Sequence, residues 1–191
     1  MLSTPPAVSA KLRTQDGVHV MKKYRKVWVA LSVLAGLSWH GHLAQATTLS
    51  FDNITNNKAA DAAVGEAQLF VDVVSYAAGK VLFVFRNIGP AACSITDVYF
   101  DNGSPAKTLA SLFGLIDKDN GVGGDAGVDF TPLASPSNLP GGGNISPAFL
   151  TTLGFSADSD RPVQANGVNP GEKLGVIFTL LSGKVFSDVL E

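Results

Sequence analysis

The chain predicts an all-β fold, an antiparallel two-sheet β-sandwich of the jelly-roll or immunoglobulin-like kind, and three observations carry that expectation. Runs rich in Val, Ile, Phe and Thr alternate with period two, as strands with one buried face do. Clusters of Gly, Pro, Asn and Ser part these runs at short intervals, which favours tight antiparallel connections over helix-linked parallel ones. No repeat at a fixed period is visible, which argues against a solenoid or a propeller.

The first strand is expected in residues 66–76, "EAQLFVDVVSY", which set Leu69, Val71 and Val73 against Gln68, Phe70 and Asp72. Residues 80–89 are apolar on both faces until Arg86, so this strand is expected at the centre of its sheet. Cys93 comes next as a small buried residue beside the third strand. As the one cysteine it forms no internal disulfide. "SITDVYFDNG" offers Thr96, Val98 and Phe100 against Asp97 and Tyr99, and closes on the turn signal Asp101-Asn102-Gly103.

The next run is ambiguous. Leu109, Leu112, Phe113 and Ile116 fall at helical spacing, but Gly114 weakens a helix by about 1 kcal/mol relative to Ala, so a strand or a single helical turn is expected. Residues 117–143 read as a long loop with a short strand at Val128 to Thr131, since Pro132, Pro136 and Pro140 exclude a helix. Residues 155–172 read as a connector into the last strand, bent at Asn166-Gly167 and again at Asn169-Pro170-Gly171-Glu172, which suits a type II turn. That last strand, residues 173–181, puts Leu174, Val176, Phe178 and Leu180 on one face. The remaining "SGKVFSDVLE" reads as the start of a helix or a short connection. With no closing strand there, the sheet is expected to lack its last strand or strands, as a truncated product or one that needs a partner strand.

Upstream of all this, Met21 opens a basic "KKYRK", an apolar "VWVALSVLAGLSW" and then "HGHLAQA", the three regions of a secretory signal peptide in order. The apolar run is roughly 13 residues, short of the roughly 20 that span a bilayer as a helix. Residues 21–46 are therefore read as a signal peptide cut after Ala46, residues 1–20 as a misplaced start or an unstructured extension, and residues 47–191 as a single exported domain. The expected location is extracellular or at the cell surface, by the Sec route, with no membrane span in the mature chain.

Cleavage changes the chemistry that remains. All three histidines, both tryptophans and both methionines precede the cut, and residues 47–191 hold eight Lys and Arg against fifteen Asp and Glu, a formal net charge of −7. An acidic remainder with no basic stripe is a poor nucleic-acid partner. Without imidazole neither a Ser-His-Asp nor a Cys-His nucleophile can be activated, and a His-ligated zinc site loses its ligands. Carboxylate chemistry of the glycoside-hydrolase kind needs two acids about 5–9.5 Å apart in a cleft. Calcium is the stronger candidate cofactor, since Asp, Asn and backbone carbonyls supply the hard oxygens it takes. Two places offer them: Asp117 with Asp119, and Asp158 with Asp160, which in an extended backbone point to the same side. Neither is an EF-hand, because the position for the bidentate Glu after Asp117 is Val128. The sequons at Asn53, Asn102 and Asn144 read as turn chemistry.

The stretches "LSFDNITNN", "DAAVGEAQLFVDV", "VLFVFRNIGPAACSITDVYFD", "SPSNLPGGGNISPAF" and "GFSADSDRPVQANGVNPGEKLGVIF" resemble the exported PEP-CTERM sorting-domain proteins of exopolysaccharide-producing Gram-negative bacteria. The resemblance covers the ectodomain, most of residues 48–181, and implies export and a β-rich fold but no reaction. The family's Pro-Glu-Pro motif, apolar helix and basic tail have no counterpart before Glu191. The function expected is thus a non-enzymatic secreted or cell-surface module, associated with the extracellular matrix or a biofilm, whose partners are extracellular polysaccharide or other surface proteins. A calcium-dependent carbohydrate-binding module and a carboxylate glycoside hydrolase are the alternatives.

Overall fold

The computed structural model describes residues 45–55, 58–118 and 123–191, together with the backbone of 7–13. Most of the predicted leader, residues 21–44, and Asp119 lie outside the described residues.

The fold is an all-β sandwich of two sheets. One has five strands in the order β2-β3-β4-β9-β6: β2 (Ala46–Ser50), β3 (Leu69–Ala77), β4 (Lys80–Asn87), β9 (Lys173–Leu180) and β6 (Leu109–Ile116). The other runs β1-β5-β8-β7: β1 (Ala7–Arg13), β5 (Ser94–Asp101), β8 (Ser156–Ser159) and β7 (Phe130–Pro132). Every pairing is antiparallel except β1 with β5, so a strand from the stretch read as preceding the leader lies parallel on the edge of the second sheet. No helix among the described residues is long and apolar enough to cross a membrane.

The core lies between the sheets and is built from phenylalanine. Phe100 of β5 meets Phe83 at 5.1 Å, Phe85 at 5.8 Å and Phe178 at 4.7 Å between ring centroids, and Phe155 meets Phe178 at 4.9 Å. The three rings that Phe100 meets belong to the five-stranded sheet, so one side chain ties the layers together. Edge-to-face contacts of this kind add about 0.5–1.5 kcal/mol per pair to the area each ring buries. The alternation predicted for β3 holds, with Leu69, Val71 and Val73 buried inward, and β4, whose Val81, Phe83 and Phe85 are buried beside them, is the central strand expected.

Three expectations need correction, and one ambiguity is resolved. The run from Glu66 begins inside a helix, α1 (Ala59–Gln68), whose Ala-rich sequence carries the propensity; the strand starts only at Leu69. The ambiguous run takes the first of its two expected forms, strand β6, and register shifts between Leu109 and Ser111 and between Leu112 and Gly114 break its alternation. Leu109, Leu112 and Leu115 then face inward three residues apart, which imitates a helical face. The short strand of the long loop is Phe130–Pro132, displaced from Val128–Thr131, and Val128 sits in the core instead. Finally, residues 155–172 are more than a connector: they contain β8, the middle of the second sheet, and the single turn α2 (Val163–Asn166). Gly167 is extended at φ −74°, ψ 177°, so the chain straightens there where a tight bend was expected.

Two turns behave as their residues dictate. Gly171 takes φ +91° and Glu172 N–H donates to the Asn169 carbonyl at 2.9 Å, the type II turn that Pro170-Gly171 demands. Asn102, fully buried, donates from Nδ2 to the Leu109 carbonyl at 2.6 Å while its Oδ1 accepts from Thr108 and Leu109 N–H. It thereby fastens the end of β5 to the start of β6, where the chain passes from one sheet to the other. The last residues form a 3-10 turn at Phe186–Val189, and Val189 reaches the core.

Candidate functional site

Two surfaces concentrate chemistry: the outer face of each sheet. On the smaller sheet the inward residues of β5 are Val98 and Phe100, which turns Asp97 and Tyr99 outward. Asp97 stands opposite Asp158 of β8, and Asp158 stands opposite Thr131 of β7. Tyr99 is buried beneath the 133–150 loop, with Ala134, Leu139 and Phe149, and its hydroxyl donates to the Pro136 carbonyl at 2.9 Å. Loop and sheet are thus held together over one edge of the acidic row. The Thr96 hydroxyl donates to Asp97 Oδ2 at 2.8 Å.

Burial pushes the Asp97 carboxyl up to about 6; the Thr96 hydrogen bond works against that, and the charge of Asp158 adds to it. Burial also raises the Tyr99 phenol, helped by the negative charges of Asp97 and Asp158. The two acids are register partners across the β5–β8 pair.

The predicted ligands divide between places. Asp158 lies in β8 and Asp160 just beyond it, and both flank Thr131, whose hydroxyl donates to Asp160 Oδ1 at 3.1 Å. Asp117 is buried and accepts from Phe130 N–H at 3.1 Å through Oδ2. Among the described residues no three His, Cys, Asp or Glu are gathered in a metal-binding group. Acids that the sequence did not single out instead fix the loop before β7: Asp125 Oδ2 accepts from Lys173 N–H at 2.7 Å, and Asp129 pairs with Lys118 at 2.6 Å. Asp97 was also missed as a site residue, for the partner that makes it unusual is 61 positions away and appears only once β5 pairs with β8.

Cys93 is buried as expected, but in polar company. Gln68 Nε2 lies 2.9 Å from Sγ and Asn87 Nδ2 lies 3.6 Å from it. Gln68 and Asn87 also bond each other at 2.9 Å and hold the 88–93 loop through the carbonyls of Ala91 and Cys93. Burial raises the thiol above its ordinary value, with the two amides opposing, which disfavours the thiolate that a nucleophile needs.

The outer face of the five-stranded sheet is of another kind. Cross-strand pairing sets Val74 beside Leu82 and Leu82 beside Ile177, and Val84 beside Gly175 and Gly175 beside Ile116. Ile116 lies over Gly175, where any Cβ would come within 2.9 Å of it, while space above Gly114 is open. The surface is therefore shallow, apolar and dished at Gly114. At one end Phe113, 58% exposed, holds the Lys80 ammonium 3.5 Å from its ring centroid, and Tyr76 is 49% exposed. At the other, Arg86 spans between Phe70 and Asp72, with Nη2 bonding Asp72 Oδ1 at 2.9 Å and Nε 2.6 Å from Oδ2 as an ion-pair contact. Lys173 stands opposite Arg86 on β9.

No protein-family model, no curated protein and no solved structure matches this chain.

Proposed function

We propose that the chain is exported, loses residues 1–46, and serves as a non-enzymatic β-sandwich of the cell surface or extracellular matrix that associates with acidic polysaccharide. The observation supporting this reading is the outer face of the five-stranded sheet. It is apolar along Val74, Leu82, Val84 and Ile177, carries the rings of Phe113 and Tyr76, and bears Lys80, Arg86 and Lys173 against Asp72. That cationic excess stands out in a remainder whose formal net charge is −7. Rings and a flat apolar surface receive the C–H faces of sugars, and cations receive the acid groups of the polymer. The leader pattern of residues 21–46 and the resemblance to exported sorting-domain proteins support the destination.

Co-sedimentation of the exported protein with acidic and neutral exopolysaccharides tests the reading. Retention by the acidic polymer, weakened by salt and by Phe113→Ala or Lys80→Ser, is expected; a lost ring contact of roughly 1 kcal/mol raises Kd about fivefold. Mass analysis of the exported protein should give an N-terminus at Thr47. Indifference to both polymers would remove the polysaccharide, and an intact leader on protein kept inside the cell would remove the export.

A further inference from the structure

Strand β5 has unequal neighbours. On one edge β8 meets it over three residue pairs, from Asp97 with Asp158 to Tyr99 with Ser156. On the other, β1 runs parallel to it from Ala7 opposite Ser94 to Arg13 opposite Asp101. The longer partner is thus drawn from residues that the export proposed above removes. Phe100 donates its N–H to the Phe155 carbonyl and accepts from Thr152 N–H, both on the β8 side. Backbone groups of successive residues in a strand point to opposite edges, so Asp97, Tyr99 and Asp101 turn theirs to the edge that β1 covers. Bare, that edge is a row of unpaired donors and acceptors. We propose that this edge of β5 is a strand-accepting site, filled by residues 7–13 in the full chain. In the exported domain, and so resting on the loss of residues 1–46, it takes an extended segment of another protein in which apolar and basic residues alternate.

The register of β1 gives the chemistry of the occupant. Val8, Ala10 and Leu12 stand opposite Ile95, Val98 and Phe100, all of the core, while Ser9, Lys11 and Arg13 stand opposite Asp97, Tyr99 and Asp101. Small and apolar residues therefore match the inward row of β5, and cations match a row that holds two acids. Opposite charges facing each other across a ladder attract and like charges repel, so a strand with acids at those positions is refused. The other edge of this sheet, β7, is three residues long and ends on Pro132, which has no N–H to donate. A second copy of the exported domain does not supply the strand. The eight Lys and Arg of residues 47–191 never stand two positions apart, so none of its segments repeats the spacing of Lys11 and Arg13. Its formal net charge of −7 also opposes self-association. The occupant is a different chain, taken up as main-chain pairing extends a sheet, with the alternating cations selecting among extended segments.

Hydrogen exchange of the full chain reads the site without any cleavage. The backbone N–H groups of Asp97, Tyr99 and Asp101 should be protected in the parent. They should exchange at least about tenfold faster when Ala10→Pro and Lys11→Pro are combined, since one of two consecutive prolines removes a donor aimed at β5. The milder Arg13→Glu, which keeps every backbone group, should quicken them about threefold. A synthetic peptide of residues 4–15 added to the double-proline chain should restore protection, and its Arg13→Glu form should bind about threefold more weakly. In the exported protein, once mass analysis has placed its N-terminus at Thr47, the same groups should be open and the same peptide should close them. Exchange at β5 that is alike in parent and double-proline chain, with no binding of the peptide, would overturn the proposal. So would an exported dimer whose β5 is protected and excludes the peptide, since the occupant would then be a second copy. An intact leader would overturn the export and with it the foreign occupant, whereas the full-chain comparison decides the site itself.

Discussion

In the five-stranded sheet β3 and β4 pair from Leu69 to Ala77, whereas in the smaller sheet β5 and β8 share three residue pairs and β8 and β7 another three. The long ladders have an outer face that carries the half-buried apolar side chains Val74, Leu82 and Val84. The short ladders are held from outside: Tyr99 bonds Pro136, Ala134 N–H bonds Ser156 Oγ at 3.0 Å, and Leu139 N–H bonds Thr151 Oγ1 at 3.2 Å. Regular pairing stabilises one sheet, while side-chain-to-backbone bonds and a loop-borne second core stabilise the other. A domain built this way can expose one face and hide the other.

The largest test of that contrast is Phe100→Ala. Its ring contacts Phe83, Phe85 and Phe178, so its loss should cost about 3–5 kcal/mol in denaturant unfolding and lower both sheets together. Hydrogen exchange confined to β5 and β8 would show that the sheets are not one cooperative unit. Next comes Asn102→Ala, which strips three hydrogen bonds from the passage between sheets. A loss of roughly 2–4 kcal/mol is expected, against about 1 kcal/mol for removing the exposed-side bond of Thr131 by Thr131→Val. Leu82→Thr on the outer face should cost less than that core ring, roughly 1–2 kcal/mol, while polysaccharide retention falls; the reverse ranking would make the face a structural one. Smallest is Leu133→Gly. Leu133 is 65% exposed and sits at φ 77°, a conformation strained for any side chain, so glycine should raise stability by up to about 1 kcal/mol in the same assay.

The strands that alternate cleanly were legible in sequence, and so was the type II turn, because Val, Phe, Pro and Gly act there through local sterics. What was not legible depended on events elsewhere. The register shifts of β6 rearrange which of its residues face inward, and no property of Leu112 or Phe113 announces them. Helix α1 was hidden because Gln68 and Leu69 continue the apparent alternation of β3. The candidate site divides likewise. Asp158 was visible as one of two neighbouring acids, but its significant neighbour is Asp97 and not Asp160, a fact of pairing between distant strands. The apolar outer face was half visible, since β4 reads as apolar on both sides, although only the neighbours Ile177 and Ile116 make it a surface.

Strand β2 begins at Ala46 and pairs Ala46 with Val74 and Thr47 with Val73. The bond that a leader peptidase would cut therefore lies inside a hydrogen-bonded ladder once the sandwich is complete. Proteases grip their targets as extended strands of their own, so enzyme and β3 compete for the same backbone groups. On the export proposed above, scission would belong to the moment of translocation, and a molecule that finished folding first should keep its leader and resist trimming thereafter.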